Sequence, residues 1–449
     1  MSDLKIYNTA SRKIEAFKPS GDVVKIYTCG PTVYSEAHIG NLTAYIYWDL
    51  MVRTLLANGF RVKRVLNLTD VGHLVSDADD GEDKLEKGAK REGVSVWDVA
   101  EKYIDIFKRD YSELELSQPA VWARATDYIE GDIDAVDKMT ENGFTYETED
   151  GVYFDTSKFE AYADFARLDL EGLKAGARVD FNSDKRNVSD FAVWKFIKPG
   201  ENHAMRWDYL GRPGYPGWHL ECATIIHEEL GEPIDIHTGG IDHIPIHHTN
   251  EIAECYGAYG HNLAKYWLHC NFITIDGEKI SKSLGNVYLL SDLDERGFSP
   301  MDYKMWVLSG HYQGTRNFTF DSLAAAKQRR LNWRNRIAEC YQKDDFKTDT
   351  FEKVLAAVNE NLNSAEAFAV VDGNDLSLDD WKMVDELFGL KLMEDSADVS
   401  EDIYKLIADR QEAREAKDYQ RSDEIRDKLA ESGITVKDTP DGPIWQYIY

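Results

Sequence analysis

The feature that most restricts what this chain can fold into is a β-loop-α-β run near its start. Val23–Thr28 is an apolar, β-branched strand ending in Cys29-Gly30, and a loop follows. Residues 42–58 then carry apolar side chains at helical spacing and stop at Gly59, a helix C-terminal signal. Arg61–Leu68 alternates basic and apolar residues, as a strand does. That order predicts a parallel sheet, which takes its ligands beyond the carboxyl ends of its strands. Cys29 and Thr69 both fall at such ends. The same grammar resumes with a helix over 218–230, a strand over 233–237, a Gly239-Gly240 turn and a helix over His247–Tyr259.

The rest of the chain reads differently. Residues 76–93 are highly charged and read as a solvated loop or frayed helix. Residues 96–200 are mixed helical and irregular, with turn signals at Gly143, Gly151 and Asn182-Ser183, and read as an insertion splitting the sheet domain. From 302 the chain is mainly helical, with helices expected over 351–368 and 376–388, a helical pair over 402–432 and a hairpin around Asp441-Gly442. At 43% hydrophobic and 12% aromatic, global disorder is excluded. No apolar run approaches the ~18–20 residues of a bilayer span, and the start lacks a secretory pattern. The five cysteines (29, 222, 255, 270, 340) are too dispersed for a disulfide framework, so a cytoplasmic protein without a membrane partner is expected. With 52 basic and 81 acidic residues the net charge is −29, which argues against a general polyanion binder. A nucleic acid would need a local basic patch. The first candidate is the stripe Lys327, Arg330, Arg334 within 323–339; the alternative is a helix whose arginines pair with neighbouring acids.

Three constellations carry chemistry. Cys29, Cys222, His247 and Glu251 make a plausible tetrahedral zinc set, His247 and Glu251 leaving one face of a helix at i,i+4. On residue types alone the same four read instead as buried apolar thiols and a surface pair. His38-Ile39-Gly40-Asn41 precedes a helix whose free N–H groups suit a triphosphate; Gly40 allows close approach, and His38 and Asn41 add donors. Lys279-Ile280-Ser281-Lys282-Ser283, between Gly277 and Gly285, is a loop whose two lysines can reach a leaving pyrophosphate. Each of these last two, alone, also reads as an ordinary loop.

Their order, with Cys29-Gly-Pro-Thr-Val-Tyr34, Asn67-Leu-Thr-Asp70, Asp184-Lys-Arg-Asn187, Gly217-Trp-His-Leu-Glu-Cys222, Asp235-Ile-His237, His247-His-Thr-Asn-Glu251 and Ser309-Gly-His-Tyr312, resembles the class I aminoacyl-tRNA synthetases, and within them the cysteinyl-tRNA synthetase family. The resemblance spans essentially the whole chain. It implies an α/β, Rossmann-like parallel-sheet catalytic domain split over 1–95 and 201–300, with an inserted connective domain over 96–200. A stem-contact helical region over 301–345 and a helical anticodon-binding domain over 346–449, ending in a small hairpin, would form the C-terminal tRNA-binding region.

The implied activity is a cysteine–tRNA ligase: ATP-dependent formation of cysteinyl-adenylate, then transfer to the 3′ end of tRNA(Cys). The partners would be L-cysteine, ATP with Mg2+ and tRNA(Cys), and a monomer is expected. His38, Asn41, Lys279 and Lys282 would stabilise the phosphates, while Gly40, Gly240, Asp242 and Lys282 hold ATP. Thr69 and Trp218 would contact the amino acid, and one Zn2+ on Cys29, Cys222, His247 and Glu251 would select the thiol. Three departures from the family pattern stand out: Asn41 for the usual second histidine, Val71-Gly72-His73 for acidic residues, and Asn359-Glu-Asn-Leu-Asn-Ser364 for an Asp-Asp-x-Asn-Thr-Pro-like run. The rival readings are a cysteine:amino-sugar ligase of the same superfamily and a non-catalytic RNA-binding paralogue.

Overall fold

The computed structural model describes residues 3–71, 84–169, 184–198, 200, 203–343, 346–439 and 442–448. The charged residues 76–83, the Asn182-Ser183 turn signal and Asp441 lie outside them, as do Gly72-His73 of the second departure. The central sheet has five strands in the order Ala264–Cys270, Ile234–Gly240, Val23–Thr28, Arg61–Leu68, Val121–Arg124. Every neighbouring pair in it is parallel. All five strands therefore end at one edge, and the loops beyond that edge carry the motifs. The strand expected over 233–237 extends to Gly240. It runs straight through Gly239-Gly240, because the absent Cβ of Gly239 leaves room for the rings of His243 and His248.

The insertion limits of 96 and 200 do not match the strand pairing. Val121–Arg124 belongs to the parallel sheet, and its fastening explains why. Arg124 Nε donates to Asp70 at 2.8 Å, and the Thr126 N–H donates to the same buried carboxylate at 2.9 Å. At the other limit, Arg212–Pro216 pairs antiparallel with Phe191–Phe196 on one side and Trp207–Tyr209 on the other, in a second five-stranded sheet with Thr145–Glu147 and Gly151–Phe154. Part of the charged 76–93 stretch, Lys84–Glu92, is a helix.

The helix Ile39–Ala57 is buried on almost every side, between the sheet and the helices Pro300–Leu308 and Leu378–Phe388. It carries one fully buried charge, Asp49, which accepts from Arg53 Nε at 2.7 Å, Lys304 Nζ at 3.2 Å and the Ser117 N–H at 2.8 Å. Burial opposes ionisation, but Lys304 and Arg53 hold the carboxyl well below its usual range. Burial in turn lowers Lys304 to about 8.

Beyond residue 300 the chain is helical as expected, with two corrections. The helix predicted over 351–368 is broken into Thr350–Asn359 and Ser364–Gly373. Asn361 and Leu362 between them adopt positive φ of 60° and 56°. Asn361 takes that strain because every polar atom it has is used. Its Oδ1 accepts from the Tyr7 N–H and Tyr312 Oη, its N–H donates to Lys5 O, and its carbonyl faces His311 Nε2 at 2.9 Å. Its amide NH2 donates to Gln313 at 2.7 Å. The unusual run 359–364 is thus a clasp between the N-terminal strand, the Ser309–Tyr312 segment and the helical region.

The second correction concerns the basic stripe on the helix Phe320–Tyr341. Arg330 is 3% exposed and pairs with Asp395 and, at 3.9 Å, Asp302. Arg334 bonds Ser396 and the Asp395 carbonyl, and Lys327 donates to Gly297 O. These side chains fasten helices together, so the alternative of internally paired arginines is the one the structure takes.

Replacing Asp49 with Asn should destabilise the fold by about 3–5 kcal/mol, since Lys304 stays buried without its counter-charge. Denaturant unfolding is the check; a loss below about 1 kcal/mol would mean that the pair is not what holds these helices.

Candidate active site and metal centre

The site is assembled where the first two motif-bearing strands end. The Gly30 N–H donates to Asn67 Oδ1 at 2.6 Å, and a Cβ on Gly30 would lie 1.6 Å from the Asn67 carbonyl oxygen. Only glycine lets the two strand ends close this far. Asn67 also donates through Nδ2 to Thr69 Oγ1 at 2.9 Å, fixing the hydroxyl of the buried Thr69. In front of these residues lies a cavity of about 130 Å3, walled by Cys29, Thr69, Trp218, Cys222, Asp242 and His247 among others. A cavity of about 150 Å3 admits benzene, so this one suits only a small ligand of about that size. Trp218 precedes the helix Leu220–Glu229 rather than standing on it, and its ring stacks on His219 at 6.0 Å and 22°.

The floor of the cavity is a cluster of metal-binding types. Ligand atoms of Cys29, Cys222, His247 and Glu251 all lie within 4.8 Å of one another. Cys222 Sγ is 3.6 Å from His247 Nε2, which is 3.0 Å from Glu251 Oε1, itself 3.9 Å from Cys29 Sγ. Zinc bonds of 2.0–2.3 Å imply tetrahedral edges of about 3.3–3.8 Å, so these four residues fit the ion with small adjustments. A second set shares two members: Cys29, His237, His248 and Glu251. It is fully buried, and His237 Nε2 is engaged with Glu251 Oε2 at 2.6 Å. Cys222 and His247 line the cavity, whereas His237 and His248 stand behind it. Of the four residues expected from the sequence, Cys29, Cys222 and His247 line the cavity and Glu251 completes the cluster.

Sequence reasoning missed the surroundings. Six of the chain's 12 histidines gather here: 219, 237, 243, 247, 248 and 269. The Nδ1 atoms of His219 and His247 are 2.8 Å apart, which leaves His247 Nε2 to face the thiol and carboxylate. His248 Nδ1 meets His269 Nε2 at 2.7 Å, and His269 Nδ1 meets Thr9 Oγ1 at 2.8 Å. Four of the six lie within residues 237–248, and that density was the available signal. Electrostatics fits a cation. The hydrogen bond from Cys29 brings Cys222 down to about 7 against burial, and burial pushes Cys29 well up. Despite burial, His237 and His247 hold Glu251 well below the usual carboxylate range. A cation binding here would displace the remaining thiol proton.

The other two motifs pack on each other. His38 caps the helix Ile39–Ala57: its Nδ1 accepts from the Asn41 N–H at 3.2 Å, and Asn41 Oδ1 accepts from the His38 N–H at 3.1 Å. This reciprocal cap is what the asparagine in place of the usual second histidine does. A Cβ on Gly40 would lie 2.6 Å from Ile280 Cδ1, and the Ile39 N–H donates to Tyr288 O at 2.9 Å. The lysine loop is therefore packed on the first motif, close enough that Lys282, after burial, helps to lower His38. Lys279 and Lys282 are exposed and make no ion pair among the described residues. Gly240 leaves room for the Asp242 carboxylate, whose Oδ1 would lie 2.3 Å from a Cβ there.

The comparisons with known proteins agree with this geometry. Residues 16–328 match the tRNA synthetases class I (C) catalytic domain family, so the chain is a class I aminoacyl-tRNA synthetase in fold and family. Methionyl-tRNA synthetase from Mycobacterium tuberculosis, bound by methionyl-adenylate, shares the fold at a TM-score of 0.57 and 15% identity, with 86% of each chain covered. Residues 396–445 match the cysteinyl-tRNA ligase anticodon binding domain. Cysteine–tRNA ligase 1 of Burkholderia lata is 42% identical over 98% of this chain and 96% of its own length. The corresponding protein of Treponema denticola is 38% identical over 99% of both. The chain belongs to the cysteine–tRNA ligase family.

Protein washed with a weak chelator should retain about one zinc per chain by elemental analysis, and Cys222→Ala should lose it while Cys340→Ser keeps it. Zinc retained in full by Cys222→Ala would move the metal to the inner histidine set.

Proposed function

We propose that the chain is a cytoplasmic, monomeric enzyme that activates L-cysteine with ATP and Mg2+ and transfers it to tRNA(Cys). The observation that supports this best is the cluster of two thiols, an imidazole and a carboxylate, three of whose members (Cys29, Cys222 and His247) line one small cavity beside Thr69, Trp218 and Asp242. In the first step the cysteine carboxylate attacks the ATP α-phosphate, forming an acyl-phosphate bond and releasing pyrophosphate. In the second, the terminal ribose hydroxyl of the tRNA takes the cysteinyl group and AMP leaves. Neither step needs a strong base, so the protein's work is positioning and charge stabilisation.

The roles follow from placement. His38 and Asn41 order the N-terminal turn of the helix whose free N–H groups face the phosphates. Gly40 and Gly240 let the nucleotide approach, and Asp242 anchors a ribose hydroxyl or the substrate amine. Lys279 and Lys282 neutralise the departing pyrophosphate. Thr69 and Trp218 bound the amino acid. A zinc ion on Cys29, Cys222, His247 and Glu251 would favour a thiolate over an alcohol, which shape alone separates only ~10²-fold. Among the described residues no helix is long and apolar enough to cross a membrane.

A tRNA acceptor is favoured over a sugar amine by the C-terminal region. Helices Glu401–Glu415 and Tyr419–Glu431 lead into the Ile434–Thr439 and Gly442–Tyr447 hairpin. Tyr419, 64% exposed at the start of its helix, offers a stacking surface of the kind single-stranded RNA uses.

Lys282→Ala should lower kcat for cysteine-dependent ATP–pyrophosphate exchange roughly 10²-fold with little change in the cysteine KM, as for a donor acting mainly in the transition state. An effect confined to the cysteine KM would take the loop away from the pyrophosphate.

A further inference from the structure

The lysine loop rests on very little ladder. Glu278–Lys279 is a strand of two residues, paired with Ile273–Ile275 through Thr274–Lys279 and Ile275–Glu278. The turn between them, Asp276-Gly277, has positive φ at both residues, 51° and 85°. A two-stranded ribbon this short does not hold its own orientation in water. Its support comes from the neighbouring strand Arg316–Phe318, which pairs parallel with Ile273–Ile275. That strand is rigidly mounted. Arg316 Nη1 donates to the Val307 carbonyl at 3.0 Å at the end of the helix Pro300–Leu308, and its guanidinium lies over the Trp306 ring at 4.3 Å. Thr319, the next residue but two, caps the helix Phe320–Tyr341.

Asn317 stands between these two well-packed neighbours, Arg316 and Phe318, and is itself exposed. Its side-chain Oδ1 accepts from the Gly277 N–H at 2.6 Å and from Thr274 Oγ1 at 3.1 Å. One oxygen therefore ties the tip of the ribbon and its inner strand to the mounted strand, two residues before Lys279. Further along, Asn286 closes the loop upon itself, accepting from the Ser281 N–H at 2.8 Å and donating to the Lys279 carbonyl at 3.1 Å. With the loop closed internally, its tilt is set at the ribbon.

The geometry points to Asn317 as a positioning residue for cysteine activation: its acceptor oxygen fixes the angle of the Glu278–Lys279 ribbon and so aims Lys279 and Lys282. This rests on the reading of those lysines as the pyrophosphate clamp. A tilt that moves an ammonium by about 1 Å is enough to cost up to ~10²-fold in rate, even where no contact with substrate is lost.

The test compares Asn317→Ala, Asn317→Asp and Lys282→Ala in tRNA-independent pyrophosphate exchange with cysteine, with thermal unfolding and hydrogen exchange of the 273–286 segment. Asn317→Ala should lower kcat about 10-fold, leave the cysteine KM and the melting temperature unchanged, and speed exchange within 273–286 alone. Asn317→Asp keeps the acceptor and should restore the slow exchange and most of kcat. The inference is overturned if Asn317→Ala exchanges pyrophosphate at the parent rate, or if both variants leave hydrogen exchange of the segment unchanged. Should Lys282→Ala cripple the reaction while Asn317→Ala does not, only the positioning role fails. If Lys282→Ala is also silent, the clamp and the positioning role fall together.

Discussion

The contact on which the site depends is the approach of two strand ends, Gly30 against the carbonyl of Asn67. It brings Cys29 and Thr69 to the same level above a parallel sheet and opens the cavity between them. Parallel strands all finish at one edge, so the helices that follow start there too. Cys222, His247, Glu251 and Asn41 stand on or at the beginning of such helices. Nothing in the local sequence at any one of these residues forms the site; the sheet order does. A side chain at Gly30 would displace the strand and, with it, both the floor and the wall.

Charge is distributed to the same end. The chain is strongly acidic, yet the reaction proposed for it handles a polyphosphate and a polyanionic RNA. Two exposed lysines lie on the loop packed against Gly40, and the helix beginning at Ile39 has no acidic residue in its first turn to oppose an anion. Many of the arginines elsewhere serve as internal fasteners. Arg330 and Arg334 join helices to the 395–396 segment, Arg316 ends a helix, and Arg410 pairs with Asp438 at 2.8 Å. A planar guanidinium satisfies several carbonyls and carboxylates at once, which is why it serves between helices in a crowded, acidic protein.

Much of this was legible before any coordinates. Period and turn signals placed the first strand, helix and strand of the sheet, and motif order identified the family and brought the cluster of Cys29, Cys222, His247 and Glu251 into view. What could not be read shows the limits of spacing. The break at Asn361 depends on partners at residues 5, 7, 311 and 312, distant in sequence, so helical periodicity ran through it unchecked. The basic stripe had the spacing of a binding face, but Asp302 and Asp395, which neutralise it, come from other helices. Asn41 read as a donor for phosphate, whereas in the structure its side-chain oxygen and backbone N–H complete a cap with His38. His237, His248 and His269 carried no role in the sequence reading because a ring behind a ligand has no local signature.

The account's central claim is that this cavity reads a thiol through the donors at its floor. Its most direct test is pyrophosphate exchange with cysteine and serine on one preparation of the enzyme, without tRNA. The account requires discrimination of at least ~10⁴ in kcat/KM, beyond what a shape-only pocket delivers. A ratio near ~10² would contradict it, because a pocket that merely fits a small amino acid would give that value with no metal chemistry at all.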